Sequence, residues 1–84
     1  MSVTLTIIDM KLKSIVLYVD KEQTIGEIRK LFVTQGGNGG NNQWKYDGEI
    51  LSNDNTKLKN IKGFDEEEMA FSVTSNVRGG LNFI

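Results

Sequence analysis

Three segments of the chain alternate apolar and polar residues with the period of two that is typical of a half-buried β-strand. Their apolar positions are Val3, Leu5 and Ile7 in the first, Ile15, Leu17 and Val19 in the second, and Met69, Phe71 and Val73 in the last. A polar break at residues 9–13 separates the first two segments, so they are predicted to form a β-hairpin. Each segment is expected to bury one face.

A helix is predicted after the hairpin, and its first residues indicate where it begins. Thr24 and Glu27 match a capping box, in which each side chain accepts a hydrogen bond from the backbone N–H of the other residue. The apolar positions then recur every three or four residues, at Ile25, Ile28 and either Leu31 or Phe32. The helix is expected to end near Gln35, because Gly36 suits a left-handed C-terminal cap.

The second half of the chain predicts shorter elements. Residues 43–46 alternate as a strand, and Asp47-Gly48 predicts a tight turn into a short strand at 49–51. The spacing of Leu58 and Ile61 predicts one short helical turn. The predicted fold class is therefore α+β, with a mixed four- to five-stranded sheet packed on one main helix.

Residues 36–42 are rich in glycine and asparagine, which suggests either a phosphate-binding loop or a connector. No Gly-Lys-Ser/Thr follows them, so we expect a mobile connector. Five aromatic residues pose a similar choice between a stacking surface for bases and the core: Phe32, Trp44, Tyr46, Phe64 and Phe71. Without a basic groove around them, they are expected to lie in the core.

The composition excludes several classes of function. Ten basic and eleven acidic residues give a net charge of -1, so neither nucleic acid nor a membrane surface is an expected partner. The chain has no cysteine and no histidine, so we expect no enzyme, no catalytic residues and no cofactor. The Asn-Asp-Asn segment at 53–55 and the acidic segment at 65–68 lack the ligand spacing of a calcium loop, so no metal is expected. The first residues do not read as a signal peptide, and we expect a cytoplasmic or nuclear monomer.

Four motifs follow one another along these elements. They are Gln23-Thr24-Ile25 with Glu27-Ile28, then Asp47-Gly48-Glu49-Ile50-Leu51, then Thr56 with Leu58, Asn60 and Ile61, and finally Arg78-Gly79-Gly80. Their order and spacing resemble ubiquitin and its relatives, the β-grasp modifiers, over residues 2–80. The resemblance implies a ubiquitin-like domain at residues 1–76, a diglycine tail at 77–80 and a C-terminal extension at 81–84.

The resemblance also implies that the chain is the precursor of a modifier. A protease would cut between Gly80 and Leu81 and remove residues 81–84 as a pro-peptide. The Gly80 carboxylate would then be adenylated, passed between cysteines as a thioester and joined to a lysine amine, with Gly79 giving access to narrow active sites. The implied partners are activating and conjugating enzymes, a deconjugating protease and target proteins. The tail that these enzymes would recognise is Asn76, Val77 and Arg78.

Several positions depart from ubiquitin. Lys45 and Thr74 stand where its docking patch is aliphatic, so generic ubiquitin receptors are expected to bind weakly. Asn76 stands where an arginine helps select ubiquitin's activating enzyme, so a dedicated enzyme is expected. Lys13 and Lys62 are the candidate acceptor lysines for chains, although an exposed lysine is more often only a solubilising charge. Two other functions stay open: a ubiquitin-like interaction domain that is not conjugated, and a sulfur carrier, a class that normally ends at the second glycine.

Overall fold

Five strands, one α-helix and one 3-10 turn make up residues 2–74, the part of the chain that the computed structural model describes. Along the chain they are β1 (Ser2–Ile8), β2 (Ser14–Asp20), α1 (Ile25–Thr34), β3 (Gln43–Tyr46), β4 (Glu49–Ile50), the 3-10 turn (Leu58–Asn60) and β5 (Glu68–Thr74). The predicted α+β order is confirmed. The predicted domain end at residue 76 and the segments 77–80 and 81–84 lie outside the described residues.

The five strands form one mixed sheet in the order β2-β1-β5-β3-β4. β1 and β5 run parallel, whereas the other neighbours are antiparallel. Leu5 pairs with Leu17 on one side and with Met69 on the other, so the apolar residues of the three long strands share one face. The predicted tight turn joins β3 to β4, with φ of 51° at Asp47 and 83° at Gly48, the left-handed conformations of a two-residue hairpin loop.

Helix α1 covers the inner face of the sheet. Its predicted capping box is present: the Glu27 N–H donates to the Thr24 hydroxyl at 3.2 Å, and the Thr24 N–H donates to the Glu27 carboxylate at 2.9 Å. Phe32 is fully buried whereas Leu31 is 37% exposed, which settles which of the two faces the core. The helix ends as expected, because Gly36 takes φ of 89° directly after the C-cap residue Gln35.

Aromatic rings fill the centre of the core. Phe32 on α1 meets Trp44 on β3 edge to face, with ring centroids 5.0 Å apart, and Trp44 meets Phe71 on β5 at 6.1 Å. Tyr46 and Phe64 are partly buried and pack against this cluster. The aromatic residues are therefore core residues, as predicted, and no base-stacking surface is needed to explain them.

Arg29 is a structural residue that the sequence patterns did not indicate. Its guanidinium donates to the carbonyl oxygens of Gly40 (2.8 Å), Asn42 (2.9 Å) and Leu51 (3.1 Å) and to the Asp54 carboxylate (2.9 Å). It also lies over the Trp44 ring, 4.8 Å from the ring centroid. Because one planar fork satisfies four acceptors, Arg29 fixes the helix to three separate segments of the chain.

The glycine-rich segment 36–42 is a connector, as expected, but it is packed rather than loose. The Gly39 carbonyl accepts the Trp44 indole N–H at 3.2 Å and the Asn42 N–H at 3.0 Å. A Cβ on Gly37 would overlap the ring of the buried Phe32, and a Cβ on Gly39 would meet Val73 at 2.7 Å. The glycines therefore let the backbone lie directly on core side chains.

A buried carboxylate organises the turn between β1 and β2. Asp9 accepts the N–H of Lys11 (2.8 Å), Lys13 (2.9 Å) and Asn38 (3.2 Å), so it joins this turn to the glycine-rich segment. Within the turn Leu12 takes φ of 63°, which is uncommon for a residue with a Cβ. The Lys13 N–H lowers the pKa of the Asp9 carboxyl most; burial opposes this, and the N–H groups of Lys11 and Asn38 add to it.

The close approach at Gly37 predicts an overpacking penalty. Gly37→Ala should lower the free energy of unfolding by about 2 kcal/mol, because the added methyl must displace the Phe32 ring. Urea unfolding followed by the fluorescence of the single tryptophan would measure it. Gly48→Ala is the control: no atom lies within 4 Å of its Cβ, so only the positive φ costs stability, about 1 kcal/mol. Equal losses in the two variants would contradict the steric account.

The lowered pKa of Asp9 predicts a pH dependence. Because the folded-state pKa is below the ordinary value of 3.8, the stabilisation is present above that value and is lost as the pH falls through the folded pKa. Asp9→Asn should lower stability at neutral pH and flatten the decline in stability as the pH falls below about 4. Urea titrations over this range would measure both effects, with Glu66→Gln as the control for losing one exposed carboxylate. An unchanged slope in Asp9→Asn would contradict the assignment.

Candidate partner-binding surface and conjugation terminus

The tail residues that the resemblance singles out follow the last strand. Gly79 and Gly80, the cut position at Gly80 and Leu81, and the recognition segment Asn76, Val77 and Arg78 all lie outside the described residues. The structure does describe the end of the strand that precedes this tail. β5 ends at Thr74, and β5 lies in the sheet between β1 and β3.

The two predicted partner-surface residues lie close together on the outer face of the sheet, the face turned away from α1. Lys45 on β3 pairs with Ser72 of β5, and Thr74 pairs with Gln43, so Lys45 and Thr74 are diagonal neighbours on adjacent strands. Both are half-buried. The Thr74 hydroxyl donates to the Gln43 carbonyl at 3.4 Å, and the Thr74 carbonyl accepts the Asn42 side-chain amide at 3.3 Å. These two polar residues therefore lie side by side rather than being scattered over the face.

Elsewhere on the outer face, the side chains at the centre are small and the side chains at the two sides are large and apolar. Thr6 on β1 pairs with Ala70 on β5, in the middle of the sheet. The large apolar residues of this face are Val16 and Tyr18 on β2, and Ile50, which pairs with Lys45, on β4. The outer face of the described residues thus has no continuous aliphatic patch at its centre, and its apolar contacts lie toward the edges.

Both candidate acceptor lysines are exposed, but their surroundings differ. Lys13 lies in the β1–β2 turn, where its backbone is held by Asp9: its N–H donates to the carboxylate and its carbonyl accepts the Asp9 N–H at 2.9 Å. Lys62 lines a shallow depression with Ile25 and Leu51. The next residue, Gly63, accepts the Tyr46 hydroxyl at 2.7 Å. Both side chains are therefore accessible to other proteins, while hydrogen bonds hold the backbone beside them in place.

Charged side chains elsewhere form contacts that stabilise the fold. Asp65 accepts the N–H groups of Glu67 (2.8 Å) and Glu68 (3.3 Å), so the acidic segment begins with a side-chain turn. Glu22 bridges Lys59 (2.8 Å) and Lys57 (3.1 Å), and these two ammonium groups lower the pKa of the Glu22 carboxyl. In the part of the chain that the structure describes, no three acidic side chains converge as metal ligands would.

Between residues 2 and 74, no helix has the length and apolar character needed to cross a bilayer.

Asp9 and Arg29 are the residues that reasoning from the sequence missed. Both join segments that are far apart in the chain: Asp9 reaches Asn38, and Arg29 reaches residues 40–54. A polar residue directly after a strand could have indicated an Asx-type turn at Asp9. A hydrogen bond to a residue far along the chain produces no periodic pattern in the neighbouring sequence. Nothing in the residues around Arg29 therefore indicated its role.

Comparison with known proteins supports the fold alone. No family model and no curated protein matches the chain. Among solved structures, it is similar to the C-terminal ubiquitin-like domain of human 2'-5'-oligoadenylate synthetase-like protein, with a TM-score of 0.68. The alignment covers 87% of this chain and 82% of that one at 14% sequence identity. The chain therefore has a ubiquitin-like β-grasp fold, which confirms the expectation from its motifs.

Proposed function

We propose that this chain is the precursor of a ubiquitin-like modifier, which is cut after Gly80 and joined through the Gly80 carboxylate to lysine amines of target proteins. The ubiquitin-like fold supports the proposal, and so does the Arg78-Gly79-Gly80 sequence that follows it. The expected partners are an activating enzyme, a conjugating enzyme, a deconjugating protease and the targets. All of them would act in the cytoplasm or the nucleus.

The observation that carries the proposal is the spacing between the sheet and the two glycines. β5 ends at Thr74, and Gly80 is six positions further along the chain. A segment of six residues spans at most about 20 Å. This length is sufficient to bring a terminal carboxylate into the active site of another protein while the domain stays outside. Two residues without a Cβ also suit a narrow channel.

The chemistry needs no reactive side chain from this chain. Water would first hydrolyse the peptide bond between Gly80 and Leu81, which releases residues 81–84 as a peptide. The new carboxylate would react with ATP to give the acyl adenylate and pyrophosphate, and an enzyme cysteine would displace AMP to form a thioester. The target amine would then displace the thiol and form the isopeptide bond. The absence of cysteine and histidine from the sequence fits this division of roles.

Conjugation can be tested with an N-terminally tagged chain that ends at Gly80, incubated with ATP in lysate of its own source cells. We expect higher-mass adducts that persist in reducing agent, since an isopeptide resists thiols and a thioester does not. Trypsin cuts after Arg78, so target lysines should carry a Gly-Gly remnant that mass spectrometry detects.

The matched control is the double variant Gly79→Ala, Gly80→Ala, which should form no adducts. Adducts that persist in this variant, or an unmodified wild-type chain, would contradict the proposal.

The full 84-residue chain should in parallel lose the mass of Leu-Asn-Phe-Ile in the same lysate. The variants Lys13→Arg and Lys62→Arg test the acceptor proposal, because adducts of the chain with itself should decrease in whichever variant removes a true acceptor.

A second candidate function is a ubiquitin-like interaction domain that is not conjugated. It is favoured by one observation: a solved structure with a similar fold is the C-terminal domain of a longer protein. In this case the lysate experiment would yield specific non-covalent partners and no adducts. Recognition would then rest on the outer face that carries Lys45 and Thr74.

The polar outer face predicts a change in receptor binding. The double variant Lys45→Ile, Thr74→Val should bind a generic ubiquitin-binding domain about tenfold more tightly than the wild-type chain, because it adds apolar area at one place on the outer face. Calorimetric titration would measure the two affinities. Lys62→Ile is the control, since it adds an isoleucine on the segment after the 3-10 turn, away from the sheet's outer face. Tight binding by the wild-type chain would contradict the prediction.

A further inference from the structure

Strand β2 forms one edge of the sheet, and its outward backbone groups are not covered by another strand of the described residues. Among residues 2–74 it pairs with β1 only. The Asp9 N–H donates to the Lys13 carbonyl at 2.9 Å, and hydrogen-bonded pairs alternate along an antiparallel ladder. The backbone groups of Ser14, Val16 and Tyr18 therefore point away from β1, toward the edge. They offer a row of donors and acceptors to another strand.

The features that usually protect an edge strand are missing from β2. It contains no proline and no lysine, its one charged residue is Asp20 at its end, and its register with β1 runs over seven consecutive pairs without a bulge. The opposite edge differs: β4 has only two residues, and one of them is Glu49. The sheet therefore has one short, charged edge and one long, apolar edge that suits pairing.

The exposed side chains of β2 are complementary to those of a second β2 that runs antiparallel to it. On the outer face, Val16 is 46% exposed and Tyr18 is 72% exposed. The strand begins beside the exposed Lys13 and ends at the exposed Asp20. A twofold axis at Leu17 would place each Val16 opposite the other copy's Tyr18 and each Asp20 opposite the other copy's Ser14.

We propose that two copies of this chain associate by antiparallel pairing of their β2 strands about this twofold axis. Aromatic and β-branched residues directly opposite each other are favourable cross-strand pairs, and both copies contribute one of each. A register shifted by one residue would turn the side chains of the two copies to opposite faces of the sheet and separate these pairs. The pairing joins the two sheets into one of ten strands and uses both long edges, so assembly stops at the dimer.

The interface would be small. One strand pair with its flanking side chains buries less area than stable complexes do, so a dissociation constant on the order of 100 μM is expected. The monomer expected from the sequence would then describe the chain at low concentration only. This inference concerns the assembly of the domain and does not depend on the proposed conjugation.

Sedimentation of the full chain at concentrations from about 10 μM to 1 mM tests the proposal. The mass should rise from that of the monomer toward that of the dimer and no further. Tyr18→Lys and Val16→Lys should each abolish the rise, because each places an ammonium group opposite an apolar side chain of the other copy and a second ammonium group diagonal to it. Ile50→Lys is the matched control: it changes a comparably exposed apolar residue, 55% exposed, on the other edge, and it should dimerise as the wild type does.

The register can be tested separately, because the chain contains no cysteine. When Val16→Cys and Tyr18→Cys are mixed and oxidised, a disulfide should join the two variants much faster than either variant joins itself. A wild-type chain that stays monomeric at about 1 mM overturns the proposal. So does a dimer that Ile50→Lys disrupts and Tyr18→Lys leaves intact, or self-linked products that form as fast as the mixed one.

Discussion

One ten-residue helix has to cover the inner face of a five-stranded sheet, and the rest of the fold depends on how it does so. The buried face of α1 brings Phe32 against Trp44. Arg29, about one turn earlier in the same helix, donates to the carbonyl oxygens of residues 40, 42 and 51. A helix of this length cannot cover the sheet alone. The glycine-rich segment 36–42 and the buried Leu58 of the 3-10 turn complete the cover. In a domain this small, each of these contacts is a large share of the core.

Because all the covering elements lie on the inner side, the outer face and the edges of the sheet stay uncovered and can contact other proteins. The centre of the outer face holds short side chains such as Thr6 and Ala70, which offer shape but little apolar area. Larger apolar residues stand at the sides, on β2 and β4. A partner that uses the centre must therefore recognise polar groups, among them Lys45 and Thr74, and a partner that uses β2 can recognise backbone. Recognition and conjugation would occupy different parts of the chain.

Local patterns predicted those parts of the fold whose causes are local. The alternation of Val3, Leu5 and Ile7 predicted the strand and its buried face, and Thr24 with Glu27 predicted the first residue of the helix, because both signals act within a few residues. The packed state of residues 36–42 was missed, since it depends on Phe32 and Val73, which only the folded chain brings near. The contact between Asp9 and Asn38 was missed for the same reason. The candidate site also was predicted only in part. The sequence indicated Lys45 and Thr74 as surface residues, but that they are neighbours follows from the pairing of β3 with β5.

The two proposals are compatible because of the strand order. β1 lies between β2 and β5, so pairing at the β2 edge leaves the end of β5 uncovered. In the dimer, the two β5 strands would be five strand spacings apart, about 24 Å, and they would run in opposite directions. The two tails would then leave the ten-stranded sheet at opposite ends, each accessible to an enzyme that binds one copy. A pairing at β3 or β4 would instead have brought partner atoms near Thr74. The open edge thus lies on the side of the sheet where association interferes least with the tail.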